Sequence, residues 1–290
     1  MKSLKLIFAL LTFLPLPLTA QNQQRLQHLR FYSSSMNDTM KVMILLPSGY
    51  DTTKPYPVLY LLHGWMGSEI DWISKTSLES YTSSLQAIIA MPDARNSWYV
   101  NSNTDKKLKY EDYIIKDLPR FLESKFRIDT VREAIAGLSM GGYGALVLSL
   151  RYPGKFIFAG DLSGAISIPQ IIDSTLAGTT NYIYKLKTNP AWRSIIDAFG
   201  ENDKMFRDDH NVFVLLERDR GKPLPYFFMS VGIQDEFRDF IPMHHLFIDS
   251  LRAMRYAYEY HEVPGHHNWK FWDEQVKILL SRMKTVMNIN

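Results

Sequence analysis

One serine lies among four glycines in the stretch AIAGLSMGGYGAL, residues 134–146. The segment Gly137-Leu138-Ser139-Met140-Gly141 matches G-x-S-x-G, in which a serine occupies a sharp turn from a strand to a helix. Such a turn leaves no room for Cβ atoms beside the serine, and the start of the helix stabilises an oxyanion. The pattern predicts a nucleophilic serine that attacks an acyl carbon. A simple glycine-softened bend is the alternative interpretation.

A serine nucleophile needs a base, and the base needs an orienting carboxylate. With this kind of turn the expected chain order is serine, acid, histidine. Asp235 follows the apolar run YFFMSVG, and His266 and His267 follow the last strand-like run. The other candidates for the acid are Glu236, Asp239 and Asp161, and a solvated loop aspartate is the alternative interpretation of Asp235. Physical reasoning alone does not separate His266 from His267.

Acyl transfer also needs N–H donors for the oxyanion. The N–H of Met140, directly after the serine, is one candidate, and the N–H of Trp65, after the run YPVLYLLHG, is the second. We interpret His63 as a packing and hydrogen-bonding residue and not as a catalyst. The other histidines lack metal-ligand spacing and the chain has no cysteine, so we expect neither a metal nor a cofactor.

The elements that must position these residues are apolar strand-like runs that alternate with helical patterns. Strands are predicted at residues 27–33, 39–47, 56–63, 85–93, 132–138, 155–163, 225–232 and 257–263, and helices at 110–126, 141–152, 241–255 and 271–287. This alternation predicts an α/β fold with a mostly parallel sheet, an antiparallel N-terminal edge and helices on both faces.

Two features interrupt this regular pattern. Pro119 should kink or break the helix predicted over residues 110–126, because it lacks an N–H and crowds the preceding turn. Residues 166–222 are too long for a simple crossover between neighbouring strands. We predict that this insertion forms a cap over the carboxyl end of the sheet. A packing excursion with no role in binding is the alternative.

Residues 1–20 differ from the rest of the chain, since Lys2 and Lys5 precede a short apolar run that ends in small residues at Ala20. The run is too short for a membrane span and is typical of a signal peptide, which predicts a secreted or periplasmic protein. Cleavage near Ala20 would leave a single domain, residues 21–290, with 31 basic and 30 acidic residues. The balanced charge favours binding neither to nucleic acid nor to a membrane.

Several motifs in one order resemble the esterase D and feruloyl esterase-like proteins of the Putative esterase family of α/β-hydrolases. The similar stretches are YPVLYLLHGWMGSEIDW, MPDARNSWY, YEDYIIKDLPRFLESKFRI, AGLSMGGYGAL, VGIQDEF and PGHHNWKFW, and they span roughly residues 31–287. The resemblance implies an α/β-hydrolase fold and a serine esterase. It implies a triad of Ser139, Asp235 and His267, with an oxyanion pair on the backbone of Trp65 and Met140.

The family includes feruloyl and acetylxylan esterases, S-formylglutathione hydrolase and mycolyltransferases. Together with the predicted export, the resemblance implies hydrolysis of feruloyl or acetyl esters of small carbohydrates or polysaccharides. The alternatives are an acyltransferase, a thioesterase for S-formylglutathione, and a non-catalytic carbohydrate-binding relative. Trp65, Trp98 and Asn96 are candidate substrate contacts. The indole rings of the two tryptophans could stack on a sugar or a phenolic group. Family members carry glycines after MPD, whereas this chain has Ala94-Arg95-Asn96, a bulkier and charged loop.

Overall fold

The computed structural model describes residues 24–173 and 188–289, so the predicted signal peptide lies outside the described residues. Eight strands form one sheet in the order β1-β2-β4-β3-β5-β6-β7-β8. The strands are β1 (Leu26–Ser33), β2 (Asp38–Leu45), β3 (Tyr56–Leu62), β4 (Ile88–Pro92), β5 (Ile128–Leu138), β6 (Phe158–Leu162), β7 (Tyr226–Gly232) and β8 (Tyr258–Val263). The pairs β1–β2 and β2–β4 are antiparallel, and the other pairs are parallel. The predicted fold class and its antiparallel N-terminal edge are confirmed.

Helices cover both faces of this sheet. They are α1 (Asp71–Lys75), α2 (Leu78–Tyr81), α3 (Tyr110–Asp112), α4 (Leu118–Lys125), α5 (Met140–Arg151), α6 (Pro190–Phe199), α7 (Lys204–Asp208), α8 (Val212–Arg218), α9 (Phe240–Met254) and α10 (Trp269–Val286). Apolar residues of α4, α5, α6, α8 and α9 share one core, whereas those of α1, α2 and α10 share a second core on the opposite face. Within the described ranges, no helix is long and apolar enough to cross a membrane.

Strand β3 shows why the middle of the sheet has an apolar run in the sequence. All of its residues are buried. Tyr60 and Leu62 join the core on the α5 face, whereas Leu59 and Leu61 join the core on the α10 face. Successive side chains point to opposite faces of a sheet, and helices cover both faces here, so neither set of positions meets water.

The helical segment around Pro119 changes its geometry without breaking. Tyr113–Asp117 form a π-helical turn between α3 and α4, and Pro119 lies in the first turn of α4. Proline has no N–H to donate and crowds the carbonyl four residues earlier. A wider π-helical turn moves that carbonyl away, so the chain continues as a helix.

The described part of the insertion predicted to be a cap lines a cavity with some residues and packs against the rest of the fold with others. Ile168, Trp192 and Ile195 line a cavity at the carboxyl end of the sheet, whereas α8 packs against α5. Residues 174–187 of the insertion lie outside the described residues. The described insertion is therefore partly a cavity wall and partly a packing element.

Helix α6 is fixed to the loop that follows β4. The Trp98 indole N–H donates to the Ser194 hydroxyl at 3.0 Å. The backbone N–H of Asn103 donates to the Ala198 carbonyl at 2.8 Å. Carbonyls in the last turn of a helix have no partner within the helix, so this loop supplies one of the missing donors.

Candidate active site

Ser139 occupies the turn between β5 and α5, with φ of 52° and ψ of −115°. A positive φ is rare for a residue that has a Cβ and typically costs about 1–3 kcal/mol. The flanking glycines allow the turn, because a Cβ on Gly137 would lie 2.5 Å from the backbone of Gly141. The structure therefore has a sharp, strained turn where the sequence predicts one.

The Ser139 hydroxyl begins a chain of hydrogen bonds. His267 Nε2 lies 2.9 Å from Ser139 Oγ, and His267 Nδ1 lies 2.8 Å from Asp235 Oδ2. The Asp235 side chain is 1% exposed and that of His267 is 12% exposed. An ionised carboxylate only accepts hydrogen bonds, so Nδ1 carries the proton and Nε2 is free to accept one from Ser139.

The segment that carries His267 is held on both sides. Glu236 accepts the His267 backbone N–H at 2.9 Å and pairs with His266 Nδ1 at 3.0 Å. The backbone N–H of His267 is the main cause that lowers the pKa of Glu236. Asn268 caps α10 by accepting the Phe271 N–H. Of the two adjacent histidines, His267 contacts Ser139, whereas His266 pairs with Glu236. The rings that contact His267 are Phe237, Phe240 and Trp272.

Asp161, a rival for the acid in the sequence, binds a different histidine. Its Oδ2 lies 2.8 Å from His244 Nε2, and both side chains are 0% exposed. His244 Nδ1 lies 2.7 Å from the Phe240 carbonyl oxygen, so both ring nitrogens meet acceptors. Burial opposes the charged imidazole, but the Asp161 charge and hydrogen bond outweigh it, and the pKa of His244 is raised. The pattern of the sequence indicates only that His244 lies on a helix, and it carries no signal of this ion pair. Asp239 lines the cavity into which Ser139 opens.

The two candidate oxyanion donors are backbone N–H groups next to Ser139. Met140 is the first residue of α5, so its N–H has no acceptor within the helix. Trp65 follows β3 through His63 and Gly64 and lines the same cavity as Ser139. Within the described part of the chain, neither N–H has a hydrogen-bond acceptor. Both donors are therefore available to an incoming oxygen.

Ser139 opens into a cavity of about 1310 Å³. The tryptophans that line it are Trp65, Trp98, Trp192, Trp269 and Trp272. Asn96 does not line the cavity, and its Oδ1 instead accepts the Met66 N–H at 2.7 Å. Of the three predicted substrate contacts, Trp65 and Trp98 lie where a ligand would bind, whereas Asn96 supports the loop that contains Trp65. Among the described residues, no three His, Asp or Glu side chains are grouped to hold a metal ion.

A family comparison connects this geometry to known proteins. The sequence model of the Putative esterase family matches residues 33–281. The chain belongs to this family. The match includes Ser139, Asp235 and His267 and excludes only the N-terminal segment and the last residues.

Relatives of this esterase share most of its length. An acetyl esterase of Caldicellulosiruptor saccharolyticus is 26% identical over 265 residues, which cover 87% of this chain and 95% of that protein. The solved structure of FphF, a fluorophosphonate-binding serine hydrolase of Staphylococcus aureus, is 25% identical and superimposes with a TM-score of 0.74 over 89% of this chain and 97% of that one. The S-formylglutathione hydrolase FrmB of the same species is also 25% identical, with a TM-score of 0.72 over 89% and 98% of the two chains. The family and these relatives identify the protein as a carboxylic-ester hydrolase that uses a serine, with the α/β-hydrolase fold.

Proposed function

We propose that the protein is an exported esterase that removes feruloyl or acetyl groups from carbohydrates, with Ser139, His267 and Asp235 as its catalytic triad. The observation that carries the proposal is the hydrogen-bond chain from the Ser139 hydroxyl through His267 to the buried Asp235. Among the residues that the structure describes, the backbone N–H groups of Trp65 and Met140, the proposed oxyanion donors, have no hydrogen-bond acceptor. The signal-like residues 1–20 support export.

The proposed reaction proceeds through an acyl-enzyme. His267 Nε2 takes the proton of the Ser139 hydroxyl as Oγ bonds to the ester carbonyl carbon. The carbonyl oxygen becomes an oxyanion that accepts the N–H groups of Trp65 and Met140. The C–O bond to the alcohol then breaks, and the alcohol leaves with the proton from His267. Water repeats the attack, gives its proton to His267, and releases the acid as Ser139 regains its hydrogen.

The position of His267 indicates where the two halves of the ester bind. The leaving alcohol oxygen must approach His267 Nε2, so the alcohol lies on the wall formed by Phe237, Trp269 and Trp272. Flat aromatic surfaces of this kind pack well against sugar rings. The acyl group then lies toward Trp98 and the isoleucines of the insertion. At about 1310 Å³ the cavity exceeds the volume of about 300–1,000 Å³ usual for ligand sites. The room favours a bulky ester over a small one.

A thioester is the second candidate substrate. The 25% identity and the shared fold with S-formylglutathione hydrolase support it. The same attack by Ser139 would release a thiol in place of an alcohol. An acyltransferase of the mycolyltransferase type would use the same acyl-enzyme and pass the acyl group to a sugar hydroxyl.

Two experiments test the proposal. Purified protein that lacks residues 1–20 would be assayed on methyl ferulate, acetylated xylan, S-formylglutathione and short-chain nitrophenyl esters, with product analysis in the presence of a sugar acceptor. Ser139→Ala should lose at least about 10³-fold in kcat on every substrate that the wild type hydrolyses, with an unchanged circular dichroism spectrum. Wild-type turnover by that variant would eliminate the proposed nucleophile. A preference for S-formylglutathione would favour the thioesterase over the carbohydrate esterase. Formation of mostly acylated sugar would favour the acyltransferase.

Export is tested separately by fractionation and mass spectrometry of the natural protein. A chain that begins near Gln21 outside the cytoplasm is the expected result. A full-length cytoplasmic chain would refute export and leave the triad unaffected.

A further inference from the structure

The peptide group between Gly64 and Trp65 is held through its carbonyl oxygen. The Gly67 N–H donates to the Gly64 oxygen at 3.0 Å, and His63 Nδ1 lies 2.7 Å from the same oxygen. In a trans peptide the C=O and N–H bonds point in opposite directions. Fixing the Gly64 oxygen therefore fixes the direction of the Trp65 N–H.

A backbone contact determines the tautomer of His63. The Ala94 N–H donates to His63 Nε2 at 2.9 Å. A backbone N–H can only donate, so Nε2 carries no proton and Nδ1 does. Burial is the main cause that lowers the pKa of His63, which keeps the ring neutral. The Nδ1–H is thus available to donate to the Gly64 oxygen.

The peptide group on the other side of Trp65 is held by Asn96. The Met66 N–H donates to Asn96 Oδ1 at 2.7 Å. Met66 has a φ of 59°, a conformation that needs support in a residue with a Cβ. Among the described contacts, this is the one hydrogen bond of the Asn96 side chain, which is otherwise exposed to solvent.

We propose that Asn96 is a positioning residue that acts with His63 to aim the Trp65 N–H at the oxyanion. Both peptide groups that flank the Trp65 α-carbon are then fixed before an ester binds. A fixed donor stabilises the transition state more than one that must be oriented during the reaction. The inference depends on the oxyanion role of Trp65 under the proposed function.

The experiment compares three variants in steady-state hydrolysis of 4-nitrophenyl acetate. Asn96→Ala removes the acceptor of the Met66 N–H, whereas Asn96→Asp keeps a side-chain oxygen in the same place. Loss of a whole oxyanion donor lowers kcat about 10²–10³-fold. In Asn96→Ala the Trp65 N–H remains but is less firmly oriented, so only part of its stabilisation of the transition state should be lost. We therefore expect Asn96→Ala to lower kcat about tenfold, with KM within about twofold of the wild type. Asn96→Asp should retain kcat within about twofold.

Arg95→Gln is the matched control, because it changes the neighbouring exposed side chain and removes its ion pair with Asp38 without touching the Trp65 loop. It should keep wild-type kcat. A second measurement uses phenylboronic acid, whose tetrahedral adduct with Ser139 places a charged oxygen among the oxyanion donors. Its inhibition constant should rise in Asn96→Ala by the factor by which kcat/KM falls.

Wild-type kcat in Asn96→Ala, or an Asn96→Asp variant as slow as Asn96→Ala, would overturn the inference. A similar loss in Arg95→Gln would also overturn it, because the effect would then belong to the whole loop. These outcomes differ from failure of the proposed function, in which Ser139→Ala itself would remain active.

Discussion

Replacing His244 with leucine should destabilise the protein by about 3–5 kcal/mol, because it leaves the Asp161 carboxylate buried without a counter-ion. Neither side chain is exposed, and the nitrogen and oxygen are 2.8 Å apart, so water cannot take over the lost contact. Asp161→Asn should be milder. Its amide can donate to Nε2 of a neutral His244, so we expect a loss of about 1–2 kcal/mol from the weaker hydrogen bond.

The pH dependence distinguishes this ion pair from simple packing. The pKa of His244 is raised in the folded protein, whereas that of an unfolded histidine is about 6.5. The resulting stabilisation is therefore complete below about pH 6.5 and is lost as the pH rises through the folded value. Asp161→Asn should lack this loss. Its deficit in unfolding free energy relative to the wild type should be largest in mild acid and shrink toward alkaline pH.

Denaturant and thermal unfolding between pH 5.5 and 9 measure both effects. At about 2–4 °C per kcal/mol for a domain of this size, His244→Leu should lower Tm by about 6–20 °C. The reasoning would be refuted if His244→Leu were as stable as the wild type, or less harmful than Asp161→Asn. A deficit of Asp161→Asn that did not change with pH would show that His244 is uncharged in the folded protein.

Two further predictions concern strain and a second buried carboxylate. Ser139→Gly should be more stable than Ser139→Ala by about 1 kcal/mol, the reverse of the usual order, because relief of strain at the φ of 52° exceeds the flexibility cost of glycine. Denaturant titration of both variants checks this order. Glu111→Gln should cost about 2–4 kcal/mol at pH 7, because the carboxylate is 2% exposed and bound to Arg151 and Tyr152. Burial raises the pKa of Glu111, but the His210 hydrogen bond and the Arg151 charge lower it to about 2. The wild type should therefore have the larger free energy of unfolding above about pH 4.5, and its difference from Glu111→Gln should vanish as the pH falls toward 2. An acid-unfolding midpoint that Glu111→Gln leaves unchanged would contradict this prediction.

The parts of the site that the sequence predicts are those with a local signature. Ser139 stands in a five-residue pattern between an apolar strand and a helix, and both elements exist in the structure. Asp235 and His267 each follow a strand, and parallel strands bring their carboxyl ends to one edge. Order along the chain is therefore enough to propose the triad.

Contacts between distant segments left no such signature. Asp161 and His244 are 83 positions apart. Asp161 lies near the end of β6, and a carboxylate at such a position has the same sequence pattern whichever histidine it binds. The position of its loop in the sequence predicts that Asn96 contacts substrate, whereas its side chain accepts the Met66 N–H. Which neighbour an exposed loop side chain contacts is a tertiary property that periodicity and spacing do not encode.

One stretch of backbone, residues 94–104, supports two structures at once. At its start it contacts His63, through the Ala94 N–H and through the Tyr99 hydroxyl, which donates to the His63 carbonyl at 2.8 Å. Trp98 and Asn103 of the same stretch hold helix α6, which lines the cavity. An ester that pushes α6 outward will therefore also disturb the supports of the Trp65 N–H. Oversized substrates should consequently be rejected through slower turnover as well as through weaker binding, and selectivity for size should appear in kcat.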